Sequence, residues 1–549
     1  MCFSMRTVQV MKKRNKLVWL FLLLFTFSFA SSQTTQPFPP TTPDALFPQR
    51  IIVPPQFRGL IDTNLTLNLP QGFSISVFAI GSLGKPRFLE FDTNGVLHVA
   101  DMYNRAIIAM PDNNLDGVAD RMTVVATQID SAHSLAFHNG DLYVPEPTGV
   151  LRFRDLNRDG VYETVEPFIT GIHSTGVYNH FTRTILFDEK EGFIYLSIGA
   201  SCNACREENS ERASILRFNL DGSGRKIFAT GIRNALGLAI EPATHRLWAA
   251  NADRDNQGDE IPEEIITTVR EGGFYGWPLA YGHRQWVDFN RAPEYQAMLP
   301  IAHDDSVKVA LMEIAEAYLP AHITPMAILF YQRTQFSEPY RSSAFIALHG
   351  SSRGGRAIGR GYKVIRMWKD GATGRWNTTD FITGFLTDSI NYKFFGRPCG
   401  LTQDAEGNLY LSSDRGIAAV YKISYDRSLV GVGNEPSLPQ EIALSVYPNP
   451  LSASTTIRFR FSSFDFSTND ERFHVEENGS SMNTKQGSQF SLKILDLLGR
   501  EVNDLNDRIR LNELLQEIQL DARSLKAGMY LIQLRTPHRT LIKKLFIAR

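Results

Sequence analysis

The chain has 549 residues, with 57 Lys and Arg against 58 Asp and Glu and a formal net charge of -1. That balance excludes the strongly basic surface of a nucleic-acid binder, and no nucleic-acid partner is expected. A hydrophobic content of 43% supports a large core, and the length allows two or more domains.

Residues 1–30 read as a signal peptide. Lys12, Lys13, Arg14 and Lys16 precede an apolar run from Leu17 to Ala30, and Ser28 and Ala30 supply small residues for cleavage. Met11 is an alternative start. The apolar run, about 14 residues, is short for a bilayer, so no permanent membrane span is expected; an anchor is the alternative. Residues 31–70 are rich in Pro and Thr and read as a linker that wraps the surface. Export implies an oxidising compartment. Cys202, Cys205 and Cys399 remain after cleavage, and "SCNACRE" sets two of them in a C-x-x-C. No His follows as in a haem-attachment site, and no second pair completes a zinc site. A local disulfide is preferred over a redox or metal role.

Two acidic phrases come next. "DNNLDGVAD" offers Asp112, Asn114, Asp116, the Val118 carbonyl and Asp120 as metal ligands. "DLNRDGVYETVE" offers Asp155, Asn157, Asp159, the Val161 carbonyl, Glu163 and Glu166, with Gly160 for the tight turn. An EF-hand needs a helix on each side. The flanks here are short β-branched runs, and Thr123 replaces the last ligand of the first copy. Both phrases therefore read as hairpin turns, either bound to calcium or plain Asp/Asn/Gly turns.

A strand phrase recurs as "GVLHVAD", "GDLYVPE", "GFIYLSI", "HRLWAAN", "SAFIALH" and "GNLYLSS", the first four copies starting about 45 to 53 residues apart. Each copy follows another short apolar strand and a turn. Six such units predict an all-β fold, a six-bladed β-propeller over residues 71–428. "GFSISVFAI" is expected to close the ring beside "AAVYKISY". The long gap before the fifth unit holds an insertion with the helix-like "VALMEIAEAYL", and a hidden seventh blade is the alternative.

If the first strand of each unit is innermost, the residues leading into it share one mouth. These are Arg87, His133, His180, Arg233 with Asn234, Pro325 and Arg397; His349 and Arg353 follow the fifth unit's second strand. Several bases in one mouth suit a ligand with several carboxylates or phosphates.

The segments "GIRNALGLAIEPATHRLWAANADRDNQGDEIPEEI", "EGGFYGWP", "YNHFTRTILF" and "GRPCGL" resemble the glucose/sorbosone dehydrogenase family of soluble quinoproteins, nearest its sorbosone dehydrogenase-like branch. The resemblance covers residues 72–425. It implies a six-bladed propeller holding pyrroloquinoline quinone (PQQ), a cofactor with three carboxylates, together with calcium. It implies that His180 takes the hydroxyl proton as hydride passes to the quinone, and that His133, Arg233, Asn234, His349 or Arg353, and Arg397 surround the cofactor. Asp259 and Glu260 are expected in that neighbourhood, and the Arg254 and Asp255 carbonyls align with the family's calcium ligands. Two departures bear on substrate choice and cofactor retention. Asn179 precedes His180 where glucose-oxidising members have Asp, and Arg254-Asp255 replaces Gly-Pro.

After a linker at 429–443, residues 444–549 read as a small β-sandwich. "YPNP", "LLGREV" and "LKAGMYLIQL" resemble the type A C-terminal sorting domain of the type IX secretion system. "SSFDFSTNDERFHVEENGSSMNTKQGS" is a polar insertion in it. The combined reading is an exported PQQ- and calcium-dependent sugar dehydrogenase. Its partners are a sugar, an external electron acceptor and the type IX machinery. The alternative is a non-catalytic propeller that binds a glycan or a protein at the cell surface. A metal-dependent lactonase would need a carboxylate-rich channel, which a basic mouth opposes.

Overall fold

The structure, a computed structural model, describes residues 45–157, 160–174, 180–352, 358–426, 445–447, 454–460, 491–497, 499–508, 515–535 and 540–547. The expected signal peptide, Asp159, Asn179, Arg353 and the polar insertion of the C-terminal region lie outside the described residues. The chain divides into two compact units, Met1–Gly431 and Val432–Arg549.

Six mainly antiparallel sheets dominate the first unit, five of four strands and one of five; the first five run in sequence order, and sheet 3 also takes the short parallel strand Gly273–Phe274 at its outer edge. Sheet 1 comprises Pro86–Phe91, Leu97–Asp101, Ala106–Met110 and Thr123–Ala126. Sheet 2 comprises Ala136–His138, Asp141–Glu146, Gly149–Arg154 and Thr164–Ile169. Sheet 3 runs Ile185–Asp188, Phe193–Ile198, Ser214–Asn219 and Lys226–Thr230, and sheet 4 runs Ala235–Ile240, Leu247–Asn251, Glu264–Val269 and Ala317–Leu319. Sheet 5 runs Pro325–Phe330, Ser343–Leu348, Lys363–Lys369 and Trp376–Ile382. Sheet 6 takes Gly396–Gln403, Leu409–Gly416 and Ala419–Tyr425, and its fourth strand is Phe73–Ile80 from the other end of the unit. Phe73 pairs with Tyr425 and Ile80 with Ala419, as expected for the closing strand.

The recurring phrase is the second strand of every sheet. Leu97–Asp101 and Ala106–Met110 are buried at every position, the mark of strands covered on both faces. Outer strands such as Thr164–Ile169 are largely exposed. The first strand of each sheet lies against the first strand of the next, and that of sheet 6 against that of sheet 1. The last contact is close. A Cβ on Gly400 would sit 2.8 Å from the Phe88 Cα and would strike the Arg87 carbonyl oxygen, so only glycine fits between these strands.

The insertion falls inside sheet 4, between its third and fourth strands. It carries a two-stranded hairpin, Ala280–Tyr281 with Gln285–Trp286, and the helices Pro293–Gln296 and His303–Ala310. The helix-like reading of "VALMEIAEAYL" is corrected here. The helix ends at Ala310, and Ala317–Leu319 is a buried strand paired with Glu264–Ile266. Pairing to a sheet edge outweighs helical spacing in this short run.

In the Pro/Thr-rich region, Leu46–Arg50 pairs with Thr66–Pro70. Leu67 and Leu69 are buried in one core with Phe73, Phe381 and Phe385. Asn68 and Thr383 exchange backbone hydrogen bonds of 2.8 and 3.1 Å, fixing the ribbon beside sheet 5.

The C-terminal unit has two antiparallel sheets. One holds Ser445–Tyr447, Ser454–Arg460 and Leu515–Asp521. The other holds Glu501–Asp504, Ser491–Leu495, Gly528–Arg535 and Thr540–Ile547. Ile457, Leu492, Ile494, Ile518, Ile532 and Leu545 share one core, so both sheets contribute an apolar face to it. Among the described residues, no helix is long and apolar enough to cross a membrane.

Candidate active site

Because the strands of each sheet alternate in direction, the start of a first strand and the loop after a second strand lie at the same end. The site is built from those two kinds of position. Neighbouring first strands bring them together.

One group centres on Asp414, whose side chain is fully buried. His349 Nε2 donates to its Oδ1 at 2.6 Å. Arg87 Nε forms an ion pair with Oδ2 at 2.9 Å, at an angle too poor for a hydrogen bond. Arg397 Nε donates to the His349 carbonyl at 2.8 Å, and its guanidinium stacks 4.8 Å above the Tyr362 ring. Burial pushes the Asp414 carboxyl up, but His349, Arg87 and Arg397 outweigh it and hold it well below the carboxylate range. Burial brings His349 down to about 4 in spite of the neighbouring Asp414. His133 is fully buried against Phe88, and neither ring nitrogen makes a well-formed hydrogen bond. Burial, with the Arg87 charge, lowers it to about 3. Cys399 is a free buried thiol beside Arg87, pushed up to about 12 by burial.

A second group surrounds His180. Its Nδ1 lies 3.0 Å from the Ala200 carbonyl oxygen, so Nδ1–H is the donor and Nε2 keeps its lone pair. A Cβ on Gly199 would come 2.5 Å from the His180 Cβ and 2.6 Å from the Asn234 Oδ1. Glycine thus lets His180 and Asn234 approach the same strand end. Arg233 donates from Nη1 to the Asp253 carbonyl at 2.7 Å and from Nε to the Asn203 carbonyl at 3.2 Å. Two buried arginines brace the backbone below: Arg183 Nη1 reaches the His180 carbonyl at 2.8 Å, and Arg212 Nη2 reaches the Ala200 carbonyl at 2.8 Å. The packed setting, then Arg233, lowers His180 to about 3, with Arg212 and Arg183 adding to the effect. Between the groups, Leu236, Ala252, Met326 and Cys399 pack as one apolar cluster from sheets 4, 5 and 6.

Other expected residues fall elsewhere. The Arg254 side chain is buried and donates to Asp253 Oδ1 and to the Pro278 and Ala280 carbonyls. The Asp255 carbonyl accepts from Asn203 Nδ2 at 3.1 Å and from the Tyr295 hydroxyl. Glu260 is paired with Arg360, which also donates to the Asp259 carbonyl. The acidic phrases are hairpin turns between third and fourth strands, at the sheet end opposite the histidines. In the first, Asp112 accepts the Gly117 and Asp116 amides, Asp116 accepts the Val118 amide and Asp120 accepts the Asn113 amide. Asn114 Nδ2 donates to Asp116. In the second, Asp155 accepts the Gly160 amide, Glu163 accepts the Leu156 amide and Glu166 pairs with Arg152. Among the described residues, the three potential metal-ligating side chains that lie within 4.8 Å of one another are Cys202, Cys205 and Glu207. Cys202 and Cys205 form the expected local disulfide, so their sulfurs are not free to coordinate.

Sequence reasoning missed Asp414 and Asn203. Asp414 stands one position past the sixth copy of the strand phrase, where the fifth copy ends in His349; the position was legible, its partners were not. Asn203 was hidden inside the C-x-x-C.

These features define a mostly β protein in which cationic and imidazole side chains gather at one end of the strands. The chain belongs to the TrAA12-like family, a PQQ sugar dehydrogenase family, whose model matches residues 67–424. Residues 445–548 match the secretion system C-terminal sorting domain; the protein is exported, to the cell surface or the surroundings. An uncharacterised protein of Borreliella burgdorferi is 24% identical over 374 residues, 66% of this chain and 92% of the relative. The holo form of the pyranose dehydrogenase PQQ domain from Coprinopsis cinerea aligns with a TM-score of 0.54 at 22% identity, over 68% of this chain and 100% of that domain. The calcium structure of a Trichoderma reesei carbohydrate-active enzyme of family AA12 aligns with a TM-score of 0.54 at 19% identity, over 65% and 96%. At these identities the structural likeness is one of fold.

Proposed function

We propose that the first unit is a six-bladed β-propeller acting as an exported PQQ-dependent sugar dehydrogenase, and that the second is a β-sandwich serving its transport. Six sheets with adjoining first strands support the propeller, and two sheets over one core support the sandwich. The observation that carries the enzymatic reading is the gathering of Arg87, His133, His349, Arg397, His180, Arg233 and Asn234 at one end of these strands.

The residues fit a ligand with several carboxylates. Arg87 and Arg397 share a single buried carboxylate, and among the described residues Arg233 forms no ion pair. His133 is an orphaned polar group beside Arg87. These residues, with Asn234, are the proposed holders of the quinone. Calcium fits the expected positions less well. The Asp255 carbonyl already accepts two donors, and the turn carboxylates serve their own amides. No step is assigned to calcium.

When bound, the quinone supplies the acceptor for hydride leaving the sugar's C1 carbon. His180 accepts the C1 hydroxyl proton at Nε2, because Nδ1–H is committed to Ala200. Its lowered pKa keeps the ring deprotonated at neutral pH, the state a base requires, at some cost in driving force. Anions bound at Arg233 offset a charge that disfavours imidazolium and thereby strengthen the base.

The test is reconstitution of the purified protein with PQQ, with and without calcium, followed by dye reduction over a panel of aldoses. Sugar-dependent reduction is expected, with His180→Ala lowering kcat by about 10²–10⁴-fold while PQQ still binds. A protein that binds glycans but no PQQ would instead be the non-catalytic propeller.

A further inference from the structure

The Cys202–Cys205 disulfide encloses two residues, one of which, Asn203, binds Arg233 through both its backbone and its side chain. The Asn203 carbonyl accepts from Arg233 Nε at 3.2 Å and from Trp277 Nε1 at 3.0 Å. Its side-chain oxygen accepts from Arg233 Nη2 at 3.2 Å and from the Asp255 amide at 2.8 Å. Its Nδ2 donates to the Asp255 carbonyl and to Glu294, both at 3.1 Å. Arg233 therefore donates two of its three side-chain hydrogen bonds to one residue inside the covalent loop; the third goes to the Asp253 carbonyl. The loop is anchored on both flanks. The Ser201 amide donates to Glu207 at 2.6 Å, and Arg206 pairs with the buried Asp305 at 2.7 Å.

We propose that Asn203 is the positioning residue for Arg233, and that the Cys202–Cys205 bond is a brace that makes this positioning redox-dependent. The inference rests on the proposed role of Arg233 in holding a carboxylate of the ligand. The groups that accept from Arg233 are neutral carbonyl oxygens, with Asp253, Asp255 and Glu264 attracting it without forming an ion pair among the described residues, and its direction depends on Asn203 alone for two of its nitrogens. A four-residue loop closed by a covalent bond denies Asn203 the backbone freedom that would blur this geometry. Both cysteines are partly exposed, within reach of a small dithiol. Opening the brace breaks the Sγ–Sγ bond; each sulfur gains one electron and one proton from a dithiol, which closes to its own disulfide.

The experiment compares the full chain in four forms: oxidised, dithiothreitol-reduced, Cys202→Ser/Cys205→Ser, and Asn203→Ala. Hydrogen exchange is followed by mass spectrometry, and PQQ binding by titration. Faster exchange confined to segments around 199–207, 231–235 and 251–256 is expected in the last three forms, with Kd for PQQ raised at least tenfold. Unchanged exchange around Arg233 on reduction and in Asn203→Ala overturns the proposal, as does faster exchange throughout the unit, which would make the bond a general support of the fold. If the oxidised protein binds no PQQ, the dehydrogenase reading fails on its own, and the exchange pattern still decides the brace.

Discussion

Asp414 is where the chemistry of single residues is most concentrated. One buried carboxylate faces His349, Arg87 and Arg397, so its charge balances more than one cation. Replacing it by Asn keeps the volume but leaves Arg87, whose side chain is 12% exposed, beside a neutral amide. Asp414→Asn is expected to destabilise the first unit by about 3 kcal/mol, the usual cost of stranding a buried charge. Denaturant unfolding checks this, and a midpoint like that of the unmutated protein would show that solvent already screens Arg87. At this scale the sequence named His180, Arg233 and Arg397 through motifs that carry chemistry. It was silent on what each touches. Whether Asp255 offers a free carbonyl or one filled by Asn203 and Tyr295 depends on side chains 52 and 40 residues away.

Among elements, the second strands were the most legible. They are apolar on both faces, so they read as short continuous runs ending in a polar residue, and they recur. First strands were found by their place before those runs. The ribbon at 46–50 and 66–70 was obscured by Pro and Thr, whose composition suggests a linker even where Leu67 and Leu69 are core. The strand at 317–319 was obscured by a run of helix formers. Contacts between elements also set the tolerance to change. Gly400→Ala forces the first strands of sheets 6 and 1 apart at Arg87, and should cost about 1–3 kcal/mol as an overpacked contact. Thermal unfolding measures it. An unchanged midpoint would mean that the two strands separate freely.

Across the first unit, the buried imidazoles link stability to acidity. His133 and His349 sit near 3 and 4 in the folded state, against about 6.5 for the unfolded chain. Below pH about 6.5 the unfolded chain therefore binds protons that the folded one refuses. Stability is present in full above that value and is lost as pH falls toward 4. The depressed Asp414 extends the loss further into acid. Each histidine contributes a slope of at most about 1.4 kcal/mol per pH unit, so lowering pH from 7 to 5 should remove roughly 3 kcal/mol through this pair, while buried Glu264, raised to about 7, works in the opposite sense. Unfolding midpoints at the two pH values, compared between the unmutated protein and His133→Gln/His349→Gln, test this; the same pH dependence in both would place the two rings in contact with solvent. For an exported protein the loss matters, since the surroundings are not buffered as a cytoplasm is.

The strand Phe73–Ile80 has one further consequence. It completes a sheet whose other members are made more than three hundred residues later, so no N-terminal fragment of the unit can finish its own architecture. Until Ala419–Tyr425 has arrived, this hydrophobic strand waits with one edge of bare backbone, open to pairing with other copies. The unit therefore reaches its final architecture only once nearly all of its length is available to fold.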